Sequence, residues 1–368
     1  MKVIISAGGT GGHIYPALAI INKIKEMEPK SEFLYIGTHN RMEKDIVPKY
    51  GIPFKTIEIY GFDRKNPFKN IKTLTAFISS LNKAKKMIKE FNPDIVIGVG
   101  GYVTGPVIYA AHKLGYKTFI HEQNSVAGKA NIFLSKYVDK IGISFNESKN
   151  EFPKDKVVMT GNPCGENALK IDKISKSTFG LDDKKDLVLF VMGSLGAATV
   201  NDVIVSAIPK FKDKKYQVLF VTGKDYYEKV NDLKVSKNVK IVPYVEGLAG
   251  LMKDTTLMVT RAGASTLSEI YALGVPSILI PSPYVPNNHQ YKNAMSLVNN
   301  NAALMIEEKD LNVDKLIKTI DEVIDDKDMQ KKMKKELDKL AIKDSSTIIY
   351  NELKKIIGKW FYECSKWY

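Results

Sequence analysis

The chain has 368 residues, 44% of them hydrophobic and 26% charged, which suits an ordinary globular protein and excludes a disordered or polytopic membrane chain. Its two cysteines, Cys164 and Cys364, exclude a disulfide-stapled scaffold, and neither has Cys or His neighbours at zinc-ligand spacing. Fifty-five Lys and Arg against 41 Asp and Glu leave a net charge of +14, which favours a polyanionic partner: nucleic acid, an anionic membrane surface or a phosphorylated substrate. A lysine-favouring genome gives the same excess with no function behind it.

At roughly 100–200 residues per domain the length predicts two domains. The first seven residues are too few for a signal-peptide core, and no apolar run approaches the ~18 residues of a spanning helix. A cytoplasmic protein is expected. Residues 3–6 read as a buried strand that runs into Gly8-Gly9-Thr10-Gly11-Gly12 and then a helix over 14–26. Further strands are expected at 33–36, 95–99, 118–121 and 140–144, with helices at 71–89 and 107–114. The pattern restarts at 187–192, running into Gly193-Ser194-Leu195-Gly196, with strands at 217–221, 239–242, 257–260 and 277–280. Alternating strands and helices predict an α/β protein of two doubly wound, Rossmann-like domains. Glycine and proline at Gly161-Asn162-Pro163 set the boundary. The expected division is 1–162, 163–340, and a C-terminal helix with an aromatic tail at 341–368 (Trp360, Phe361, Tyr362, Trp367, Tyr368) that either packs back on the first domain or touches lipid.

In an open parallel sheet, ligands sit beyond the carboxyl ends of the strands. Gly8 to Gly12 let a ligand approach the backbone, and the helix behind them offers free N–H groups to negative charge. His13 enters that helix at its start, where the helix dipole disfavours a charged imidazole and leaves a ring able to accept a proton. A capping or packing histidine would look the same. The Gly193 to Ala197 turn adds a hydroxyl and suits a pyrophosphate, while the absence of a following Gly-Lys-Thr/Ser sequence excludes an ATP P-loop. Arg261-Ala262-Gly263-Ala264-Ser265-Thr266-Leu267-Ser268-Glu269 follows a strand and opens a helix. Glu269 is placed to accept both ribose hydroxyls of a nucleotide, or is simply a solvated helix glutamate.

Between Arg64 and Lys89 there are eight basic residues and no acidic one, interleaved at helical spacing with Phe68, Ile71, Leu74, Phe77, Ile78, Leu81 and Ile88. A basic rim around an apolar face suits a helix docking on an anionic bilayer. A core-packed helix with a solvated lysine face shows the same stripe.

Seven blocks carry a resemblance: Gly8 to Ala17, Gly100 to Pro106, His121-Glu122-Gln123-Asn124, Gly161-Asn162-Pro163, the Ser194 turn, the Glu269 segment, and Asn288-His289-Gln290-Tyr291-Lys292-Asn293-Ala294. Their order resembles the MurG family of bacterial N-acetylglucosaminyltransferases. The resemblance implies a GT-B fold, two Rossmann-like domains facing a cleft, with no metal or other cofactor. It implies inverting transfer of N-acetylglucosamine from UDP-N-acetylglucosamine to the C4 hydroxyl of undecaprenyl-pyrophosphoryl-N-acetylmuramyl-pentapeptide, by a peripheral protein on the cytoplasmic face of the cell membrane and without a nucleic-acid partner. By match to the family's motifs, Thr10, Gly11 and Gly12 face the donor sugar, Asn124 and Gln290 contact it, and Ser194 with its following amides holds the diphosphate. Val245 reads uracil through its backbone, and Ala264, Ser265, Thr266 and Glu269 wrap the nucleotide. His13 is the expected base, with Glu122 as the second candidate. The docking surface falls on Phe68, Leu74, Phe77, Ile78 and Leu81. There are three departures from the family pattern: Cys164-Gly165 stand for an apolar residue and an arginine, Leu195 for glutamine, and Asn287 for aspartate. Phosphate binding is therefore expected to lean on helix amides. Alternatives are another GT-B UDP-sugar transferase acting on a lipid acceptor, or a UDP-N-acetylglucosamine 2-epimerase.

Overall fold

The apolar run at the start of the chain forms β1 (Lys2–Ser6), with Val3 and Ile5 in one core layer and Ile4 in the other. That is the period-two alternation of a strand covered on both faces. The computed structural model describes residues 1–60, 69–193 and 197–358, with side chains for all of these except 69–72. The chain divides into two units, Met1–Cys164 together with the segment from Asp344 on, and Gly165–Lys343.

In the first unit β1 is followed by α1 (Gly11–Met27), β2 (Glu32–Gly37), α2 (Glu43–Ile46), β3 (Phe54–Thr56), α3 (Lys69–Phe91), β4 (Ile95–Gly98), α4 (Thr104–Lys113), β5 (Lys117–Glu122), α5 (Lys129–Leu134), β6 (Lys140–Ile143) and β7 (Val157–Met159). All seven strands are parallel in the order β3-β2-β1-β4-β5-β6-β7, with Val3 opposite Phe33 on one side and Ile95 on the other. The strand order reverses between β1 and β4, so the turns leaving these two strands flank the point where such sheets bind ligands.

The second unit repeats the plan. It contains α6 (Pro163–Lys170, entered from the first unit), β8 (Leu187–Val191), α7 (Ala198–Ala207), β9 (Gln217–Val221), α8 (Lys224–Tyr227), β10 (Val239–Val242), α9 (Leu248–Met252), β11 (Leu257–Thr260), α10 (Ala264–Leu273), β12 (Ser277–Leu279), α11 (His289–Val298), β13 (Leu304–Met305), α12 (Val313–Asp325) and α13 (Lys327–Leu340). Its six parallel strands run β10-β9-β8-β11-β12-β13, so the reversal lies between β8 and β11. Val188, Phe190, Val218 and Phe220 pack under α7 and α12.

The two doubly wound sheets are those expected from the alternation of strands and helices. Three strands escape a reading by pattern: β3, β7 and β13 are two or three residues long and pair on one side only. A short edge strand carries too few residues to show periodicity.

The last described helix, α14 (Ser345–Ile356), places Ile349, Tyr350 and Leu353 in the same core layer as Ile14, Ile21 and Ile24 of α1. Glu28 fastens it: its carboxylate accepts from Lys354 Nζ (2.8 Å), Tyr350 OH (3.0 Å) and the N-terminal amine (2.8 Å). Burial works to raise the Glu28 carboxyl, and these donors outweigh it, holding the group down to about 2. The aromatic tail, from Trp360 to Tyr368, lies outside the described residues. Among the described residues no helix is long and apolar enough to cross a membrane.

Candidate functional site

In the first unit two glycine runs interlock beyond β1 and β4. Gly8 N–H donates to the Gly100 carbonyl (3.2 Å), and a Cβ on Gly101 would stand 2.4 Å from the Gly8 oxygen. A Cβ on Gly100 would stand 2.5 Å from His13 Cδ2, and both glycines have positive φ, +99° and +90°. Only glycine leaves room there for the imidazole. Half-buried His13 is tied by Nδ1 to the Gly8 carbonyl at 2.9 Å. A carbonyl can only accept, so this contact places a proton on Nδ1, and in the neutral ring the lone pair is then on Nε2.

Around it, Thr10 is exposed, Gly11 buried and Gly12 exposed. Thr10 precedes α1 without giving it a side-chain cap. The helices that open at the second reversal point, α7 and α10, also lack side-chain caps, whereas α12 and α13 are capped by Asn312 and Asp326. Uncapped N-termini keep their first amides available to an anion.

Glu122 is buried and fully engaged. Oε1 accepts from Asn124 N (3.1 Å) and Nδ2 (3.2 Å), and Oε2 accepts from Gly128 N (2.8 Å) and Asn131 Nδ2 (2.9 Å). The carboxylate thus shapes the loop that carries Asn124. Its neighbour His121 is fully buried, held neutral with its pKa lowered to about 4 by burial, against the bond between Nε2 and the Gly161 carbonyl (2.9 Å).

In the second unit, Ala264, Ser265, Thr266 and Glu269 lie on the first turns of α10, beyond β11. Ser265 Oγ is buried and has no protein partner. Glu269 keeps part of its surface accessible, and burial raises its carboxyl to about 7. Gln290 Oε1 accepts from Ser282 N (2.9 Å), which turns Nε2 into the amide's outward donor. Val245 is buried. Ser194 and Leu195 lie outside the described residues, as does Phe68. Of the other docking candidates, Leu74 and Ile78 are 54% and 52% exposed, whereas Phe77 is half-buried and Leu81 packs against the core. Packing sets Leu81 in the core layer of Ala84 and Ile88, so the outward set narrows to Leu74 and Ile78.

Residues 3–143 match the glycosyltransferase family 28 N-terminal domain and residues 187–348 its C-terminal domain. A protein of Bacillus thuringiensis named UDP-N-acetylglucosamine–N-acetylmuramyl-(pentapeptide) pyrophosphoryl-undecaprenol N-acetylglucosamine transferase 2 is 48% identical over 98% of this chain and 100% of its own length. The crystal structure of Acinetobacter baumannii MurG superposes with a TM-score of 0.77 at 26% identity, covering 96% of this chain and 99% of that one. The chain belongs to the MurG family of glycosyltransferases. A UDP-GlcNAc 2-epimerase from Neisseria meningitidis, solved with UDP-GlcNAc, shares the fold at a TM-score of 0.68 and 15% identity over 96% of this chain and all of that one.

Against the MurG pattern, Gly165 has a steric explanation. A Cβ there would lie 2.9 Å from the Ser268 carbonyl oxygen, so α6 rests directly on the α10 backbone and no side chain fits. Asn287, like Asn288, sits at positive φ (56° and 50°), a conformation asparagine tolerates better than most residues. Sequence reasoning missed Glu43, whose partners in the turn after β1 lie more than thirty residues away. It also missed the steric role of Gly100. A carboxylate at the start of a short helix carries no local signal of what it will meet.

Proposed function

We propose that the protein transfers N-acetylglucosamine from UDP-N-acetylglucosamine to the C4 hydroxyl of an undecaprenyl-pyrophosphoryl-linked N-acetylmuramyl-pentapeptide, inverting the anomeric centre. The observation that carries this reading is the 2.9 Å contact of His13 Nδ1 with the Gly8 carbonyl at the reversal point of the first sheet, which in the neutral ring leaves Nε2 as acceptor. The acceptor oxygen forms its bond to C1 of the donor sugar as the C1–phosphate oxygen bond breaks. The hydroxyl proton passes to His13 Nε2, and the electron pair leaves on UDP. Thr10, Gly11, Gly12 and Asn124 are assigned to the donor sugar, with Glu122 shaping the Asn124 loop rather than serving as base. The uncapped start of α7 and the Ser194 turn meet the growing diphosphate charge, with no metal or other cofactor assigned. Val245 is assigned to uracil, Ala264 to Thr266 to the nucleotide, Glu269 to the ribose hydroxyls, and Gln290 Nε2 to a donor-sugar oxygen.

A lipid-linked acceptor requires a protein that reaches the bilayer. Exposed Leu74 and Ile78, with exposed Lys83, Lys86 and Lys89 further along α3, support peripheral docking on an anionic surface, taken to be the cytoplasmic face. The experiment is transfer of labelled N-acetylglucosamine to a short-chain lipid-linked muramyl-pentapeptide, beside an acceptor lacking the C4 hydroxyl. Labelled product from the first and none from the second is expected. Equal labelling of both would overturn the assigned nucleophile.

A further inference from the structure

Glu43, at the start of α2, is fully buried, and its acceptor contacts come from backbone and hydroxyl donors. Oε1 accepts from Thr38 N (3.0 Å) and Thr38 Oγ1 (2.6 Å), and Oε2 accepts from Gly9 N (3.0 Å). The carboxylate fills the space beneath the turn after β1, where a Cβ on Gly8 would stand 2.4 Å from Oε1. Burying an ionised group is expensive unless its bonds are strong ones.

The peptide that Glu43 holds is the one that holds His13. Gly9 N–H and the Gly8 carbonyl belong to one planar trans unit, so they point in opposite directions. Glu43 takes the N–H end (3.0 Å) and His13 Nδ1 donates to the carbonyl end (2.9 Å). Glycine on both sides, with Gly9 at φ +94°, leaves this peptide little intrinsic preference in rotation. We propose that Glu43 is a positioning residue for His13: its carboxylate fixes and polarises the Gly8–Gly9 peptide, whose carbonyl locks the imidazole with the proton on Nδ1. The link from carboxylate to imidazole runs through one peptide group, and hydrogen bonds in such a chain strengthen one another. This rests on the reading of His13 as the base.

Glu43→Gln tests it. An amide has one acceptor oxygen, so it cannot take the Thr38 pair and the Gly9 N–H together, and its NH2 meets a donor. Two readouts are taken on the full chain. In ¹⁵N-detected spectra of the resting protein, His13, assigned through His13→Gln, is expected as the Nδ1–H tautomer in the wild type and as a mixture in the variant. In transfer assays kcat is expected to fall about 10- to 100-fold, the effect of misplacing a reacting group by about an ångström, with KM for UDP-N-acetylglucosamine within about threefold. Glu43→Asp, too short to span both partners, is expected to behave likewise and serves if the Gln variant does not fold. An unchanged His13 tautomer in a folded variant overturns the proposal, including where kcat falls together with thermal stability. A shifted tautomer with unchanged kcat leaves the Glu43 link standing and counts instead against His13 as the base.

Discussion

Glu269→Gln is expected to make the protein more stable and a poorer binder of its donor. Burial raises the Glu269 carboxyl from 4.5 to about 7, so ionising it in the folded protein costs about 3 kcal/mol more than in the unfolded chain. The folded state holds this proton more tightly than the unfolded state. Its stabilising effect is therefore complete below pH 4.5 and lost as pH rises to about 7. Glutamine has no proton to lose. The variant should match the wild type near pH 4, then gain with rising pH, reaching about 3 kcal/mol above pH 7, or roughly 6–12 °C in the Tm of a unit this size. Donor binding should change the other way. Two ribose hydroxyls donating to an ionised carboxylate are worth about 1.5–3 kcal/mol each, and an amide recovers only part of this. Affinity for UDP-N-acetylglucosamine should drop at least about tenfold at pH 8. In the wild type it should weaken as pH falls below 7, while the variant stays flat. Calorimetric melting and titration from pH 4 to 8 measure both. A Tm difference that does not vary with pH, or equal affinity for the donor, would refute the reasoning.

Gly100→Ala places a methyl 2.5 Å from His13 Cδ2 at a φ of +99°, and kcat is expected to fall by about 10² or more, measured beside an unchanged affinity for UDP. Glu28→Gln should loosen α14: the carboxyl is held down to about 2, so its contribution is present above pH 4.5 and fades as pH falls toward 2. With the side chain 21% exposed, a loss of about 1–2 kcal/mol at pH 7 is expected after allowing for solvent screening, read by urea unfolding and by proteolysis near residue 344. Replacing Leu74 and Ile78 with glutamate should cut co-sedimentation with phosphatidylglycerol vesicles at least about tenfold, since each buried aliphatic side chain contributes about 1.5–3 kcal/mol. Transfer to a water-soluble acceptor should persist.

The parts of this protein that can be read from its sequence are those in which local chemistry and tertiary role coincide. β1 and β8 are continuous apolar runs because strands inside a parallel sheet are covered on both faces, and Gly9 and Gly193 in the turns after them sit at positive φ, a local demand for glycine. His13 and Glu269 could be named because they follow such turns. Residues that act across the sheet could not. Glu43 reaches Gly9 from the start of α2, Asn131 reaches Glu122 from α5, and Gly100 matters for the ring it leaves room for. The stripe on α3 shows the same limit: periodicity marked Leu81 and Ile78 alike, and only packing showed that one faces the core and the other faces out.

The central claim is transfer to a lipid-linked sugar, and the most direct test follows UDP release and labelled lipid together, with UDP-N-acetylglucosamine as donor and a short-chain pyrophosphoryl-linked muramyl-pentapeptide as acceptor. Equal amounts of UDP and labelled disaccharide lipid, both dependent on the acceptor, are the predicted result. UDP release with no labelled lipid, or conversion of the donor to its C2 epimer without any acceptor, would contradict it.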